Sequence, residues 1–420
     1  MERQECYLGF PPLPDPDEIS YRLLNDPPCI RWRMARELFH IKNQKDRESL
    51  IEKLRPHLHI ATDFRIKERI ALALKVLRWP LKHQDYLLVQ GKGVFKTSEI
   101  KDMDLRNSKA DPYPEFFPVI DFHVHPKTPD INFFSDMREA GVTHGVILAT
   151  DTDPEDVDRP EISDMLQAAY NKSTQSRIMP FENLKKHIKE NLCSKTNVGN
   201  QDVADWVSDY PDKLIGFGSV NLSKGRSYVG KKMERLLELG MKGINLLPHF
   251  QFFNPSQNKN MDLLLEFCSD NRFIILTHSG CGNGPFEILE LCRNAHPSLW
   301  EPWLQKYPDV FLVMAHFGGY TTRIPGIWLY EAMQLGKKYK NVYADLSSVG
   351  WILNRECVVH EIRKTIGFDR VLFASDYPKP LLSTMTLAGM VSSIKTNLHL
   401  TPKEKRKVLG ENAAKLLDIY

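Results

Sequence analysis

Eight short apolar runs, separated by stretches of helical periodicity, constrain the fold of this chain more than any other feature. The runs are continuously apolar and rich in β-branched residues, which is typical of parallel strands covered on both faces. Eight strand–helix units are what a closed (β/α)8 barrel requires, and such a barrel takes roughly 250 residues. The sequence therefore predicts an α/β protein with a TIM barrel. The predicted strands are residues 119–123, 145–150, 214–220, 243–247, 273–277, 310–315, 342–346 and 371–375.

The beginning of the chain follows a different pattern, with amphipathic helical periodicity and no convincing strand before residue 119. A polar segment at residues 102–113, which contains Pro112, fits a linker. We expect a small all-helical domain over residues 1–115, followed by the barrel over residues 116–420. The predicted helices of the first domain are residues 18–24, 30–39, 46–54 and 66–77.

A long insertion separates the second predicted strand from the third. The gap is about 60 residues, which exceeds an ordinary connection within a barrel. Helical patterns near residues 184–192 and 202–209 predict extra helices in it. Long insertions on barrel loops usually shape the substrate pocket.

Composition argues against several classes of partner. The net charge of +3 over 420 residues is too mild to favour nucleic acid or an anionic membrane surface. No stretch approaches the ~18 apolar residues of a membrane span. The seven cysteines include no C-x-x-C pair, and the N-terminus lacks an apolar leader, which together fit a reducing compartment. We expect a cytoplasmic protein with a small-molecule substrate; a homodimer and protein contacts through the helical domain are further expectations.

Metal-capable side chains stand at the ends of four predicted strands. His123 and His125 end the first, His278 the fifth, His316 the sixth and Asp376 the eighth. All carboxyl ends of barrel strands meet at one mouth, so these residues are expected to converge. Any one of them alone is more often a core or capping residue. Together they predict a metal site, since imidazole and carboxylate suit zinc, and also manganese or iron.

The spacing of the first two histidines supports this prediction. Alternate side chains of a strand point to the same face, so His123 and His125 both enter the barrel while Phe122 and Val124 face the helices. Asp121 shares their direction but lies one pleat deeper, where a structural role, or hydrogen bonding to the ligand imidazoles, is expected rather than metal binding.

Residues 119–420 resemble the amidohydrolase superfamily, and within it the amidohydrolase-related group that includes decarboxylases of small carboxylic acids. The resemblance implies that His123, His125, His278 and Asp376 hold the metal. It further implies that His316 acts on water or substrate, and we expect His316 or Asp376 to take up a proton. The matching stretches are VIDFHVHP (119–126), DYPDKLIGFGSVN (209–221), GMKGINLLPHFQFFNP (240–255), IILTHSG (274–280), YPDVFLVMAHFGG (307–319), NVYADLSS (341–348), RVLFASDYP (370–378) and VLGENAAKLL (408–417).

The fourth predicted strand departs from the pattern of many members. Asn245 stands where they have a lysine, and Leu247 where they have a histidine. Because neither a lysine nor a glutamate is available there to bridge two metals, we expect one divalent ion, with Zn²⁺ favoured over Mn²⁺ or Fe²⁺. Residues expected to contact substrate are His249, Gln251, Arg323 and Asn245.

Three functions remain open from the sequence. The leading hypothesis is a hydrolase of a small-molecule carbonyl bond, such as an amide or lactone, because a bound divalent ion activates water. The alternative is a non-oxidative decarboxylase that uses the same metal site, with Arg323 or Lys379 available to pair with a substrate carboxylate. A third is a non-catalytic barrel that serves as a binding scaffold.

Overall fold

The structure of the protein is a computed structural model, which describes residues 44–60, 118–125, 131–173, 176, 179–193, 197–281, 288–321, 326–378 and 385–419. Eight parallel strands form one sheet, in which each strand pairs with the next along the chain. All eight predicted strands are confirmed. They are β1 (Ile120–Val124), β2 (His144–Leu148), β3 (Leu214–Ser219), β4 (Gly243–Leu246), β5 (Ile274–Gly280), β6 (Leu312–Tyr320), β7 (Val342–Asp345) and β8 (Val371–Leu372).

The sheet closes between its first strand and the segment that follows its last. The Phe122 amide donates to Phe373 O at 3.0 Å, and the His125 amide donates to Tyr377 O at 2.8 Å. The pairing of β8 with β7 ends early because the Phe373 amide donates instead to Val408 O, at 2.7 Å. This closure confirms the predicted TIM barrel and brings the end of β8 beside the end of β1.

Helices cover the outside of the barrel and bury its outward-facing side chains. Phe122 is fully buried and packs edge to face against Phe217, with ring centroids 5.6 Å apart. The same cluster includes Ala413 and Leu417, so Phe122 faces the helix layer as predicted. One described α-helix, α1 (Gln44–Ile60), precedes the barrel in sequence and belongs to a separate unit. The other described α-helices are α2 (Ile131–Ala140), α3 (Pro160–Lys172), α4 (Phe181–His187), α5 (Asn200–Asp209), α6 (Arg226–Glu238), α7 (Met261–Asn271), α8 (Leu289–Cys292), α9 (Glu301–Lys306), α10 (Leu329–Lys338), α11 (Glu356–Lys364), α12 (Leu387–Lys395), α13 (Pro402–Arg406) and α14 (Asn412–Leu417).

The insertion between β2 and β3 is helical, as predicted. It contains α3, α4, a π-helical turn at Ile188–Cys193 and α5. Its apolar side chains form a cluster with Phe252, which follows β4, and with Ile288, which follows β5. The insertion therefore packs against the loops at the carboxyl ends of these two strands.

Of the first 115 residues, the structure describes α1, which contains the predicted helix over residues 46–54. The predicted helices over residues 18–24, 30–39 and 66–77 lie outside the described residues. The assignment of residues 1–115 to a separate helical domain stays a prediction. None of the helices in the described ranges combines the length and the apolar character that crossing a bilayer needs.

Candidate metal centre

Three of the predicted metal ligands meet at the mouth of the barrel. The ligand atoms of His123, His125 and Asp376 all lie within 4.8 Å of one another. The Nε2 atoms of the two histidines are 2.9 Å apart, and His123 Nε2 is 3.7 Å from Asp376 Oδ1. Of the four strand ends that the sequence predicted to converge, those of the first and eighth strands supply these three residues.

The backbone holds Asp376 in a conformation that few residues adopt. Its φ of 65° lies in the left-handed region, and the same is true of His316 at 59° and Ser348 at 58°. Such backbone strain is concentrated at sites where side chains must be held in one position. The Asp376 amide donates to His123 O at 3.0 Å, and Ser348 Oγ donates to Asp376 Oδ2 at 2.5 Å.

Asp345, at the end of β7, orients the first histidine. Its Oδ2 lies 2.9 Å from His123 Nδ1 and is fully buried with it. Because a carboxylate only accepts hydrogen bonds, His123 carries its proton on Nδ1, and Nε2 presents a lone pair towards His125 and Asp376. This role of Asp345 was not predicted from the sequence, although an aspartate that ends an otherwise apolar strand is a usable signal.

Asp121 has the structural role that was one of the two expectations for it. Its carboxylate accepts hydrogen bonds from the Ser375 amide at 2.8 Å, the Ser375 hydroxyl at 2.5 Å and the His123 amide at 3.3 Å. These bonds tie β1 to the segment after β8. The imidazole of His123 is held by Asp345 instead.

His316 lies beside the three candidate ligands. Its ring centroid is 4.9 Å from that of His123, and its Nδ1 lies 2.9 Å from Ser347 O and 2.8 Å from Ser347 Oγ. A carbonyl oxygen only accepts, so Nδ1 carries the proton and Nε2 keeps its lone pair. Ser347 Oγ also donates to Asp345 Oδ1, which joins the two histidines in one hydrogen-bonded network.

The fourth predicted ligand, His278, lies next to this group without belonging to it. Its Nε2 is 3.2 Å from Cys281 O, and its ring centroid is 4.7 Å from that of His316. The pairing of β5 with β6 shifts register between His278 and Gly280, so the strand is irregular at this point. The assignment of His278 as a ligand stays a prediction.

The ionisation of these groups suits a cation. Burial, with the positive charge of neighbouring histidines, holds the pKa values of His125 and His316 well below their usual range, and burial lowers the pKa of His278 to about 3. Burial alone would lower the pKa of His123, but Asp345 and Asp376 more than offset this, and it is raised. Burial also raises the pKa of Asp376 to about 6. The neutral imidazole of His125 can donate a lone pair to a metal directly, whereas a cation would have to displace a proton from His123. A cation would also relieve the buried carboxylate of Asp376.

The spacing of the three candidate ligands also fits a divalent ion. Metal–nitrogen and metal–oxygen bonds of about 2.1 Å in a tetrahedral arrangement separate neighbouring ligand atoms by about 3.4 Å. The observed separations of 2.9 Å and 3.7 Å lie on either side of that value. Two imidazole nitrogens and a carboxylate oxygen are a donor set for zinc, manganese or iron.

The residues predicted to contact substrate divide into three groups. The amides of Asn245 and Gln251 point into the protein: Asn245 donates to Ala149 O at 2.9 Å, and Gln251 Oε1 accepts from the Leu247 amide at 2.9 Å. His249 is buried beside His278, with ring centroids 4.1 Å apart. Arg323 lies outside the described residues. These four assignments stay predictions.

Known proteins resemble part of this chain. The 2-amino-3-carboxymuconate-6-semialdehyde decarboxylase of Dictyostelium discoideum is 26% identical over the matched region, which covers 52% of this chain and 65% of that protein, slightly less than two thirds of its length. Two solved structures resemble the chain more weakly. The 5-carboxyvanillate decarboxylase of Sphingomonas paucimobilis is 14% identical, with a TM-score of 0.49 over 72% of this chain and 99% of its own. That of Novosphingobium aromaticivorans, solved with manganese, is 18% identical, with a TM-score of 0.46 over 69% and 80%.

A family model also matches more than half of the chain. The model of the amidohydrolase family matches residues 120–419, which runs from the first strand of the barrel to its last helix. The match includes every candidate metal ligand and the network of Asp345, Ser347 and His316 behind them. This chain therefore belongs to the amidohydrolase family of enzymes.

Proposed function

We propose that this protein is a metal-dependent, non-oxidative decarboxylase of a small carboxylic acid. The observation that carries the proposal is that the curated relative, 26% identical, is named as a decarboxylase. Of the two catalytic hypotheses from the sequence, this supports the alternative better than the hydrolase. Membership of the amidohydrolase family is compatible with both. A small-molecule substrate and a cytoplasmic location are part of the proposal and rest on composition.

The three clustered side chains are proposed to hold the ion. His123, His125 and Asp376 supply two nitrogen atoms and one oxygen, and His278 is a predicted fourth ligand. A divalent ion bound there supplies a positive charge that holds and polarises an oxygen of the substrate. Asp345 fixes the orientation of His123 through its Nδ1, which preorganises the first ligand. Either Zn²⁺ or Mn²⁺ fits this donor set.

The reaction breaks the bond between the carboxylate and the substrate carbon. Carbon dioxide leaves, and the electron pair that remains on the carbon takes up a proton, so that one proton replaces each carboxylate. His316 is the proposed carrier of this proton, because Ser347 O fixes its Nδ1 as a donor and leaves Nε2 to accept and return a proton. Its ring centroid lies 4.9 Å from that of His123, so the proton carrier and the ion share the mouth.

Release of carbon dioxide tests the proposal directly. Full-length protein, stripped of metal and reloaded with Zn²⁺ or Mn²⁺, would be incubated with aromatic and unsaturated carboxylic acids labelled with ¹³C in the carboxylate. We expect labelled carbon dioxide and a product that gains one deuterium in D₂O. A product that keeps every carbon and gains water would support the hydrolase instead. Absence of carbon dioxide with every acid and both metals would contradict the proposal.

A further inference from the structure

One buried imidazole at the mouth has no hydrogen-bond partner in the structure. His249 follows β4, is 2% exposed, and neither of its ring nitrogens has a partner among the described residues. A neutral imidazole offers one donor and one acceptor, and leaving both unpaired in the interior costs stability. A residue that weakens the fold in this way usually serves another purpose.

A nearby polar side chain on the same loop, by contrast, has its hydrogen-bonding groups paired. Gln251, two residues further on, is fully buried. Its Oε1 accepts from the Leu247 amide at 2.9 Å, and its Nε2 donates to Asp151 O and Ser219 Oγ, both at 3.2 Å. Together with a bond from Nε2 to Val220 O at 3.3 Å, these bonds fasten the loops after β2, β3 and β4 to one another.

The ring of His249 is enclosed by its neighbours. Its centroid lies 3.9 Å from that of Phe250 and 4.1 Å from that of His278. Both ring nitrogens are almost inaccessible in the structure. A polar group of a bound molecule would therefore reach them only after a shift of the surrounding side chains.

His249 belongs to the same mouth as the candidate metal centre. A row of imidazoles connects them: His278 stands 4.7 Å from His316, which stands 4.9 Å from His123, all measured between ring centroids. Two rings thus separate His249 from the first candidate ligand. Its ring also contacts His278, the predicted fourth ligand, so a substrate held by the ion would need to extend past His278 to reach it.

We infer that His249 is a substrate-contacting residue that recognises a polar substituent other than the carboxylate that is lost. A hydroxyl, carbonyl or second carboxyl group of the substrate would pair with its ring nitrogens. This inference rests on the proposed function, because it assumes that the carboxylate to be lost lies at the ion. It assigns His249 a role in choosing the substrate and none in holding the metal.

The first experiment separates a ligand-binding role from a structural one. His249→Phe and the matched control Gln251→Leu each replace a buried polar side chain by an apolar one at the same strand end. In the metal-loaded full-length protein, we expect His249→Phe to melt at or above the wild-type temperature. Gln251→Leu should melt lower by about 3 °C or more, because it leaves several buried groups unpaired. An equal fall in both variants would overturn the inference.

The second experiment uses an acid that the wild type decarboxylates, together with the same acid lacking its other polar substituent. His249→Phe should lower kcat/KM at least tenfold for the first acid, mainly through KM, and leave the second unchanged, at equal metal content. Equal effects on both acids, or none, would overturn the inference while the proposed function stands. If the wild type decarboxylates no acid, the proposed function fails, and the assignment of His249 falls with it.

Discussion

The two sides of the barrel mouth are built in opposite ways. On the side of β1, β7 and β8, buried charged groups face one another, and each is oriented by a partner: Asp345 holds His123, and Ser348 holds Asp376. On the side of β4, the uncharged amide side chains of Asn245 and Gln251 form hydrogen bonds with other groups of the protein. His249 differs from them, because neither of its ring nitrogens has a hydrogen-bond partner among the described residues.

This difference indicates a division of labour. A cation can be held where carboxylates and neutral imidazoles are gathered, because burial makes the charges of the carboxylates unfavourable without it. A substrate needs instead a rigid wall with few unsatisfied groups, since each such group then decides which molecule fits. We propose that the strand ends of β4 and β5 form that wall; the helical insertion packs against the loops that follow them.

Removing a carboxylate from the first side should have the largest effect. We expect Asp376→Ala to reduce the metal content from about one ion per chain to a small fraction of that. The rate of carbon dioxide release should also fall roughly 10³-fold, which corresponds to a loss of several kcal/mol of transition-state stabilisation. Metal analysis of the purified variant and the ¹³C assay measure both. Asp309→Ala, at an exposed position before β6, is the control and should match the wild type. Full metal content in Asp376→Ala would contradict the ligand assignment.

The proton carrier comes next in magnitude. His316→Asn should lower kcat by roughly 10²-fold or more, as expected for loss of general acid–base catalysis. Its metal content should stay near that of the wild type, because the ring lies beside the three clustered ligands. His144→Asn is the control and should keep the wild-type kcat, because His144 begins β2 and so lies at the end of the barrel away from the mouth. A loss of metal equal to that in Asp376→Ala would instead indicate that His316 is a metal ligand, and the end of β6 would then belong to the metal-binding side of the mouth.

Much of this arrangement was predictable from the sequence, because it depends on local patterns. Continuous apolar runs predicted the eight strands, and the rule that barrel strands end at one mouth predicted the meeting of His123, His125 and Asp376. The pleat of β1 predicted that Phe122 turns away from them. These inferences need only the period of a strand and the direction of the barrel.

The remaining features depend on contacts that no single segment contains. The carboxylate that meets the His123 imidazole belongs to Asp345, on a strand more than two hundred residues further along the chain, and not to the nearby Asp121. This choice depends on how the strands are staggered once the barrel has closed. The orientation of His278 depends on the register shift between β5 and β6. Likewise, the inward-facing amide of Gln251 depends on loops after three different strands.

A smaller effect is expected from the carboxylate that stands behind the first ligand. Asp345→Asn keeps the shape but places an amide opposite His123 Nδ1, and should weaken metal affinity by about 10- to 100-fold. Competition with a fluorescent chelator measures this affinity without any activity assay. Asp121→Asn is the matched comparison, since its carboxylate binds the Ser375 hydroxyl and backbone amides. We expect it to lower the melting temperature and leave the metal affinity nearly unchanged. Equal losses of affinity would show that the two carboxylates are not distinct.

The smallest effect should come from an amide on the opposite side. Asn245→Leu removes the hydrogen bond to Ala149 O and should lower the free energy of unfolding by about 1 kcal/mol. Metal content and kcat/KM should stay at wild-type values, because the Asn245 side chain donates its hydrogen bond to the loop after β2. Urea unfolding and steady-state kinetics on the same preparation provide both readouts. A fall in kcat/KM without loss of stability would mean that Asn245 contacts the substrate, as the sequence predicted, and the β4 side would then recognise substrate through more than His249.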